Sequence, residues 1–325
     1  MDTIQILLAI AAATFAAVVT MGKADAAPME PAAINAAAFT GEQLAEGQSP
    51  LAVRLQILLD RAGASPGVID GYSGDNVEKA IRGFEQVNGI DSDGQLDQLV
   101  WDTLQAMGHD VIVSYTITEE DTSGLSAELP EDYAELAKLD QLGFTSVREK
   151  LAERFHMDED FLTDLNPEAQ FTAGESIFVA DPGTDQEAEV ASLVADKSQA
   201  RLLAYDASQT LIAIYPVTIG SSSTPSPTGT HKVNAVATDP TYSYDPETNF
   251  VQGDNTQPLT LPPGPNGPVG NVWIDLSEPT YGIHGTPHPS KIDKTSSHGC
   301  VRMTNWDAHE LAHMVSKGVT VEFRD

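Results

Sequence analysis

From residue 188 to the end, apolar residues come in short β-rich runs and almost never at helical spacing. The runs are VASLVAD, ARLLAYD, TLIAIYPVTIG, VWIDLSEPTYGIHGT and a closing VTVEF. Turn residues separate them, and a single stretch, about 304–316, reads as a helix. Strands of this kind bury their apolar faces only by layering on one another, so 188–325 is expected to be a mainly-β, sandwich-like domain. Its longest connection, 238–268, is rich in proline, and connections of that length are commonly functional.

The front of the chain obeys a different period. Ser49-Pro50 forms an N-cap and first-turn pair, followed by Leu51, Leu55, Leu58, Leu59 and Ala62 on one helical face. Val77, Ile81, Phe84 and Val87 mark a second helix, and Leu96, Leu99, Trp101 and Leu104 a third, with Gly63, Gly89 and Gly108 as stops. Residues 50–108 therefore read as a small three-helix domain. Over 112–183 the pattern is strand, helix, helix, strand, with a Ser146…Glu149 capping box and an acidic insert at about 122–144. Residues 27–49, rich in Ala, Pro and small polar residues, read as a flexible linker. The fold class is α+β multidomain, with the mainly-β domain last.

The run ILLAIAAATFAAVV and the Ala24-Asp25-Ala26 triplet read as an export signal over 1–26, cleaved after Ala26. With that segment removed, no remaining stretch would span a bilayer. The net charge of −31 lies mostly before residue 188 and argues against nucleic acid and anionic membrane as partners. An exported chain with one cysteine has no internal disulfide, which raises the question of what Cys300 does.

Cys300 lies in TSSHGCVRM, with His298 before it and Arg302 after it. If 297–302 is extended, His298, Cys300 and Arg302 share a face. His284, in YGIHGT, would come from a neighbouring strand through the loop 287–297. A thiol needs a base or a positive field to attack a carbonyl at neutral pH, and this set supplies both. Gly299 allows close approach of a substrate, and its amide and that of Cys300 would face an oxyanion.

The pattern IHGT…SHGCVRM with a following Asn305 resembles the catalytic domain of the L,D-transpeptidases, the YkuD family. The segment LQILLDRAG…VIDGYSGD…FEQVNGIDSDG…VWDTL resembles the peptidoglycan-binding three-helix repeat, with Glu85 where that repeat usually has Gln. YTI…DT…LNP…AGESIFV looks like a LysM module. The resemblance implies Cys300 as nucleophile and His284 as its base. It further implies the Gly285 carbonyl as the group orienting the imidazole, and His298, Arg302 and Ser297 around the substrate. The implied reaction is acyl transfer in a periplasmic enzyme. Cys300 would take the acyl group of a tetrapeptide stem, release D-alanine and pass it to an amine, giving a 3-3 crosslink or attaching an outer-membrane protein or lipoprotein. The implied partners are stem peptides and glycan strands, held by the two front modules. Hydrolysis of the same stems, as an L,D-carboxypeptidase, and a non-catalytic wall-binding role are the alternatives.

A rival motif, HELAH at 309–313, matches the zinc-protease signature. A third ligand is expected downstream, where only Glu322 and Asp325 are candidates, and apolar neighbours suggest a packed helix. No metal or other cofactor is assigned.

Overall fold

The computed structural model describes residues 29–325 apart from His109, Ser222, Ser223 and Asn249; the export-signal segment therefore lies outside the described residues. The front begins with α1 (Pro31–Ala36), α2 (Pro50–Arg61), α3 (Asp75–Asn88) and α4 (Gln98–Leu104). Ser49 Oγ accepts the Ala52 amide at 3.2 Å and so caps α2, and Asp97 caps α4 through the Val100 amide at 2.8 Å. Gly89 ends α3 in the left-handed region, at φ 66°.

The expected linker over 27–49 is not free where it is described. Ile34 of α1 is fully buried, and the Asn35 side chain accepts the amides of Val111 and Ile112 and donates to the Ile112 carbonyl. Arg54 of α2 donates to the carbonyls of Asn35 and Ala37. One apolar side chain and one amide dock a segment whose composition otherwise signals mobility.

Next come β1 (Ile112–Thr116), α5 (Tyr133–Leu136), α6 (Val147–Arg154), α7 (Glu159–Leu165) and β2 (Ser176–Ala180). β1 and β2 pair antiparallel, Ile112 opposite Ala180 and Thr116 opposite Ser176. α6 and α7 lie between them in sequence, capped by Ser146 and Asp158. Leu55, Phe84 and Trp101 share one buried cluster with Leu151, Phe161 and Ile177. The two front units are thus one body around one core, which suits units too small to bury much surface alone.

The rest comprises β3 (Ser192–Asp196), β4 (Arg201–Tyr205), β5 (Leu211–Pro216), β6 (Thr218–Ile219), β7 (Gly229–Thr238), β8 (Tyr242–Tyr244), β9 (Leu259–Leu261), β10 (Val272–Leu276), β11 (Gly282–His284), β12 (Val301–Arg302), α8 (Asn305–Met314) and β13 (Thr320–Arg324). Nine strands form one sheet in the order β5-β4-β3-β13-β7-β10-β11-β12-β6. The two halves join in β7: its first residues pair with β13, and the stretch from Val233 to Thr238 pairs with β10. Leu193, Leu202 and Tyr215 from one half meet Val272, Ile283 and Val301 from the other, with Leu311 of α8, in a single core. The sandwich-like expectation is met by a continuous sheet that folds over on itself.

The front body is docked on this domain. Ser65 donates to the Ile214 carbonyl at 2.9 Å and Ile214 donates to Gly63 at 2.8 Å, so the loop after α2 pairs with the outer strand β5. Gly83 of α3 lies flat against β5; a Cβ there would sit 2.6 Å from Ile214 Cδ1. Gly83→Ala is therefore expected to lower the melting temperature. The helix gains roughly 1 kcal/mol from alanine, but overpacking costs about 1–3 kcal/mol. A higher melting temperature in a thermal scan would show that α3 can move aside.

The acidic insert at about 122–144 packs on the last domain. Leu136 and Leu142 pack with Tyr244 and Leu261 of the β8–β9 hairpin, which lies within the 238–268 loop. Leu142 donates to the Pro263 carbonyl at 2.8 Å, and the Tyr133 backbone amide donates to Gln252 Oε1 at 3.0 Å.

Candidate active site

β11 and β12 run parallel as neighbours, with Ile283 opposite Val301 and His284 opposite Arg302. This places His284 at the end of one strand and Cys300 immediately before the next. Both line a cavity of about 500 Å³, together with Arg302, Ser297 and His298. The segment 297–300 is not strand as expected. Only Val301 and Arg302 are, because Gly299 turns the chain at φ +111°, and a Cβ there would meet Tyr281 Cε1 at 2.6 Å. Gly299 is required by both conformation and space.

His284 is 5% exposed. Its Nδ1 lies 2.7 Å from the Gly285 carbonyl oxygen, which only accepts, so Nδ1 carries the proton and Nε2 is the basic nitrogen. Trp273, directly opposite on β10, stacks on the ring at 5.6 Å. Burial and the Arg302 cation, opposed by the Gly285 carbonyl, lower the imidazole to about 4. Burial pushes the Cys300 thiol up, with the Gly282 backbone and Arg302 partly offsetting it. Cys300 Sγ lies 3.8 Å from the Thr280 carbonyl, an acceptor for the S–H. The resting pair is therefore neutral thiol and neutral imidazole.

Ser297 is a brace. Its Oγ accepts the Gly220 amide at 2.7 Å and donates to the Cys300 carbonyl at 2.7 Å. The Gly299 amide, expected to face an oxyanion, points at Ser297 Oγ at 3.3 Å. Turning the chain at Gly299 aims its N–H back into the loop. His298 stacks on Phe250 of the 238–268 loop at 4.3 Å. Arg302 has no ion-pair partner among the described residues, and its buried Nε has no hydrogen-bond partner. This half-buried guanidinium lines the cavity, where a carboxylate would pair with it.

Sequence reasoning missed Tyr133, Tyr242, Phe250 and Trp273, which also line the cavity. Trp273 could have been found from its place in the strand before YGIHGT. Tyr133 carries no such signal, since it comes from the front insert. Asn305 was noted only as following the cysteine motif. Its Oδ1 accepts the Thr286 amide at 3.1 Å, and its Nδ2 donates to Glu153 of α6 at 2.9 Å.

HELAH lies on α8. Glu310 accepts the Tyr215 hydroxyl at 2.6 Å and the Gln186 amide at 2.8 Å. Committed in this way, it is not free to act as a hydrolytic base.

The folded-over sheet, with a cysteine and a histidine on neighbouring chain segments at one cavity, forms a mostly-β domain behind a helical front body. Residues 191–322 match the model of the YkuD L,D-transpeptidase catalytic domain, and residues 48–104 match a model described as a peptidoglycan-binding domain. Over 176 residues the chain is 32% identical to a protein of Bacillus licheniformis named as the L,D-transpeptidase YkuD, covering 53% of this chain and 90% of the relative. The protein of the same name from Bacillus subtilis is 31% identical over 173 residues, 53% of this chain and 89% of the relative. A solved L,D-transpeptidase from Mycobacterium smegmatis aligns with TM-score 0.35 at 20% identity, over 47% of this chain and 65% of that one, a likeness too slight to carry anything further. The chain belongs to the YkuD family of L,D-transpeptidases.

Proposed function

We propose that the protein is an exported, periplasmic L,D-transpeptidase in which Cys300 is the nucleophile and His284 its base. The observation that carries this is the pairing of β11 with β12, which brings the imidazole and the thiol to one cavity while the Gly285 carbonyl fixes the tautomer with Nε2 unprotonated. His284 would take the thiol proton as sulfur attacks the carbonyl of the third residue of a tetrapeptide stem. A neutral pair suits this order, because charge develops only as the bond forms. Collapse of the tetrahedral intermediate would release D-alanine, protonated by His284. A second amine, from another stem or from a wall-attached protein, would then resolve the thioester.

Arg302, lacking a carboxylate of its own, would hold the acidic group of the stem. His298, braced by Phe250, would line the same path, and Ser297 would hold the turn in place. The front body would bind glycan strands through its three-helix repeat. The β1–β2 unit is proposed as a LysM-like contributor. What supports this is the pattern itself: β1 and β2 pair antiparallel, with α6 and α7 between them in sequence.

Incubation of the full chain with a carbapenem, followed by peptide mass analysis, tests the assignment. One adduct on Cys300, absent in Cys300→Ala, is expected; an unmodified Cys300 in folded protein would refute it. Arg302→Ala is expected to raise KM for a tetrapeptide stem about tenfold or more, in line with loss of a charged hydrogen bond. Alkylation of the thiol by a neutral reagent should slow by much less, since Arg302 only partly offsets the burial of the thiol. Steady-state kinetics with a stem fragment and with iodoacetamide separate the two.

A further inference from the structure

We propose that the HELAH helix carries a divalent transition-metal site outside the catalytic cavity, completed by Asp185 from the segment that joins the front body to the catalytic domain. His309 and His313 are one helical turn apart on α8, and their rings approach to 4.3 Å between centroids, nearly perpendicular. Asp185 Oδ2 lies 3.6 Å from His309 Nδ1. One nitrogen from each imidazole and one carboxylate oxygen all lie within 4.8 Å of one another. Two imidazoles and a carboxylate are the donor set favoured by borderline ions such as Zn²⁺ and Ni²⁺. The third ligand comes from upstream in the chain, so a search downstream of the motif does not find it.

The site is supported from behind. The amide of Gln186, next to Asp185, donates to Glu310, which directly follows His309. Arg61 of α2 grips the same segment, through the Asp181 carbonyl at 2.8 Å and the Asp181 carboxylate at 3.1 Å. The ligating carboxylate is thus held at the helix that bears the histidines. Because Glu310 is engaged with Tyr215 and Gln186, the site is structural, not hydrolytic. All three ligands are exposed, so an ion enters from solvent and other coordination positions are left to water. The bound ion ties the segment around 181–187 to α8, the helix on which the front body docks.

The test uses the full chain carrying Cys300→Ala, so that the thiol cannot compete for metal. Titration with Zn²⁺, and separately with Ni²⁺, is expected to show one saturable equivalent by calorimetry and a melting temperature that rises with metal concentration. His313→Ala in the same background should weaken binding about tenfold or more, and Asp185→Asn should weaken it less. Cleavage of the 181–187 segment by a nonspecific protease should slow when Zn²⁺ is present. Unchanged affinity in His313→Ala, or the lack of saturable binding, would overturn the site. Metal binding with no change in cleavage would overturn its role as a clamp.

Discussion

His284→Ala is expected to slow acylation of Cys300 by about 10²–10⁴-fold, the range that removal of a general base commonly costs. The resting chemistry makes the loss large. The thiol is buried enough that its ionisation is pushed up, and Arg302 and the Gly282 backbone only partly counter this. Without an acceptor for its proton, the sulfur would have to attack as a rare anion. The pH profile distinguishes this reading from an ion-paired site. Burial and Arg302 hold the imidazole at about 4. It is therefore unprotonated and able to accept a proton throughout the range above about pH 5, and the acylation rate should fall only as pH drops through about 4. A pre-formed thiolate paired with imidazolium would instead lose activity on both sides of neutrality. Stopped-flow acylation by a carbapenem across pH 4 to 9, in wild type and His284→Ala, decides the matter. Equal rates in the two proteins would remove His284 from the reaction.

The second large effect concerns the contact between the front body and the catalytic domain. Asp307 of α8 is 3% exposed and accepts the Ser65 hydroxyl at 3.1 Å. Burial, then the nearby Asp60 charge, raises its carboxyl to about 8 against the hydrogen bonds of Thr304 and Ser65. Glu153 of α6 is likewise raised to about 8, chiefly by burial, despite the Asn305 amide. A carboxyl with a raised folded value keeps its proton in the native state while the unfolded chain has already released it. Its stabilising contribution is complete below about pH 4 and is lost as pH rises towards about 8. The upper bound is roughly 1.4 kcal/mol per pH unit for each group. Asp121, held below the usual carboxylate range by Tyr115, Thr118 and Arg154 although burial opposes them, acts in the reverse sense at lower pH. Greatest stability is expected in mildly acid solution. The isosteric pair Asp307→Asn and Glu153→Gln should flatten the dependence, so that wild type loses melting temperature between pH 5 and 8 and the double variant loses much less. Parallel curves would show that these carboxyls ionise freely in the native protein.

His156 stands at the same contact. It bonds Asp60 at 2.7 Å and stacks on Trp306 at 5.1 Å. Burial opposes its charged form, but Asp60 prevails and its pKa is raised. Nothing in the sequence around it points to a junction of three elements distant in the chain.

The strands, helices and caps were legible because each rests on local pattern: Ser49-Pro50, Ser146, the alternating runs after 188. The cysteine and histidine were legible because TSSHGCVRM and YGIHGT keep their own chemistry in short compass. What stayed hidden depends on contacts between distant segments. Ile34 and Asn35 convert a linker-like stretch into part of the core. Tyr133 reaches the cavity from the acidic insert, far from Cys300 in the chain. Asp185 meets His309 and His313 across a chain reversal. The Gly299 turn was missed because the alternation of His298, Cys300 and Arg302 reads as strand, whereas the glycine between them bends the backbone.

The pairing of Gly63 and Ser65 with Ile214 has a practical result for anyone isolating the transferase portion by truncation. Cut free near residue 188, that fragment would present the unsatisfied amides and carbonyls of its outermost strand, beside the apolar Ile214 that α3 now shields. Such a rim recruits further β-segments from neighbouring molecules, so the shortened protein should self-associate more than the whole chain.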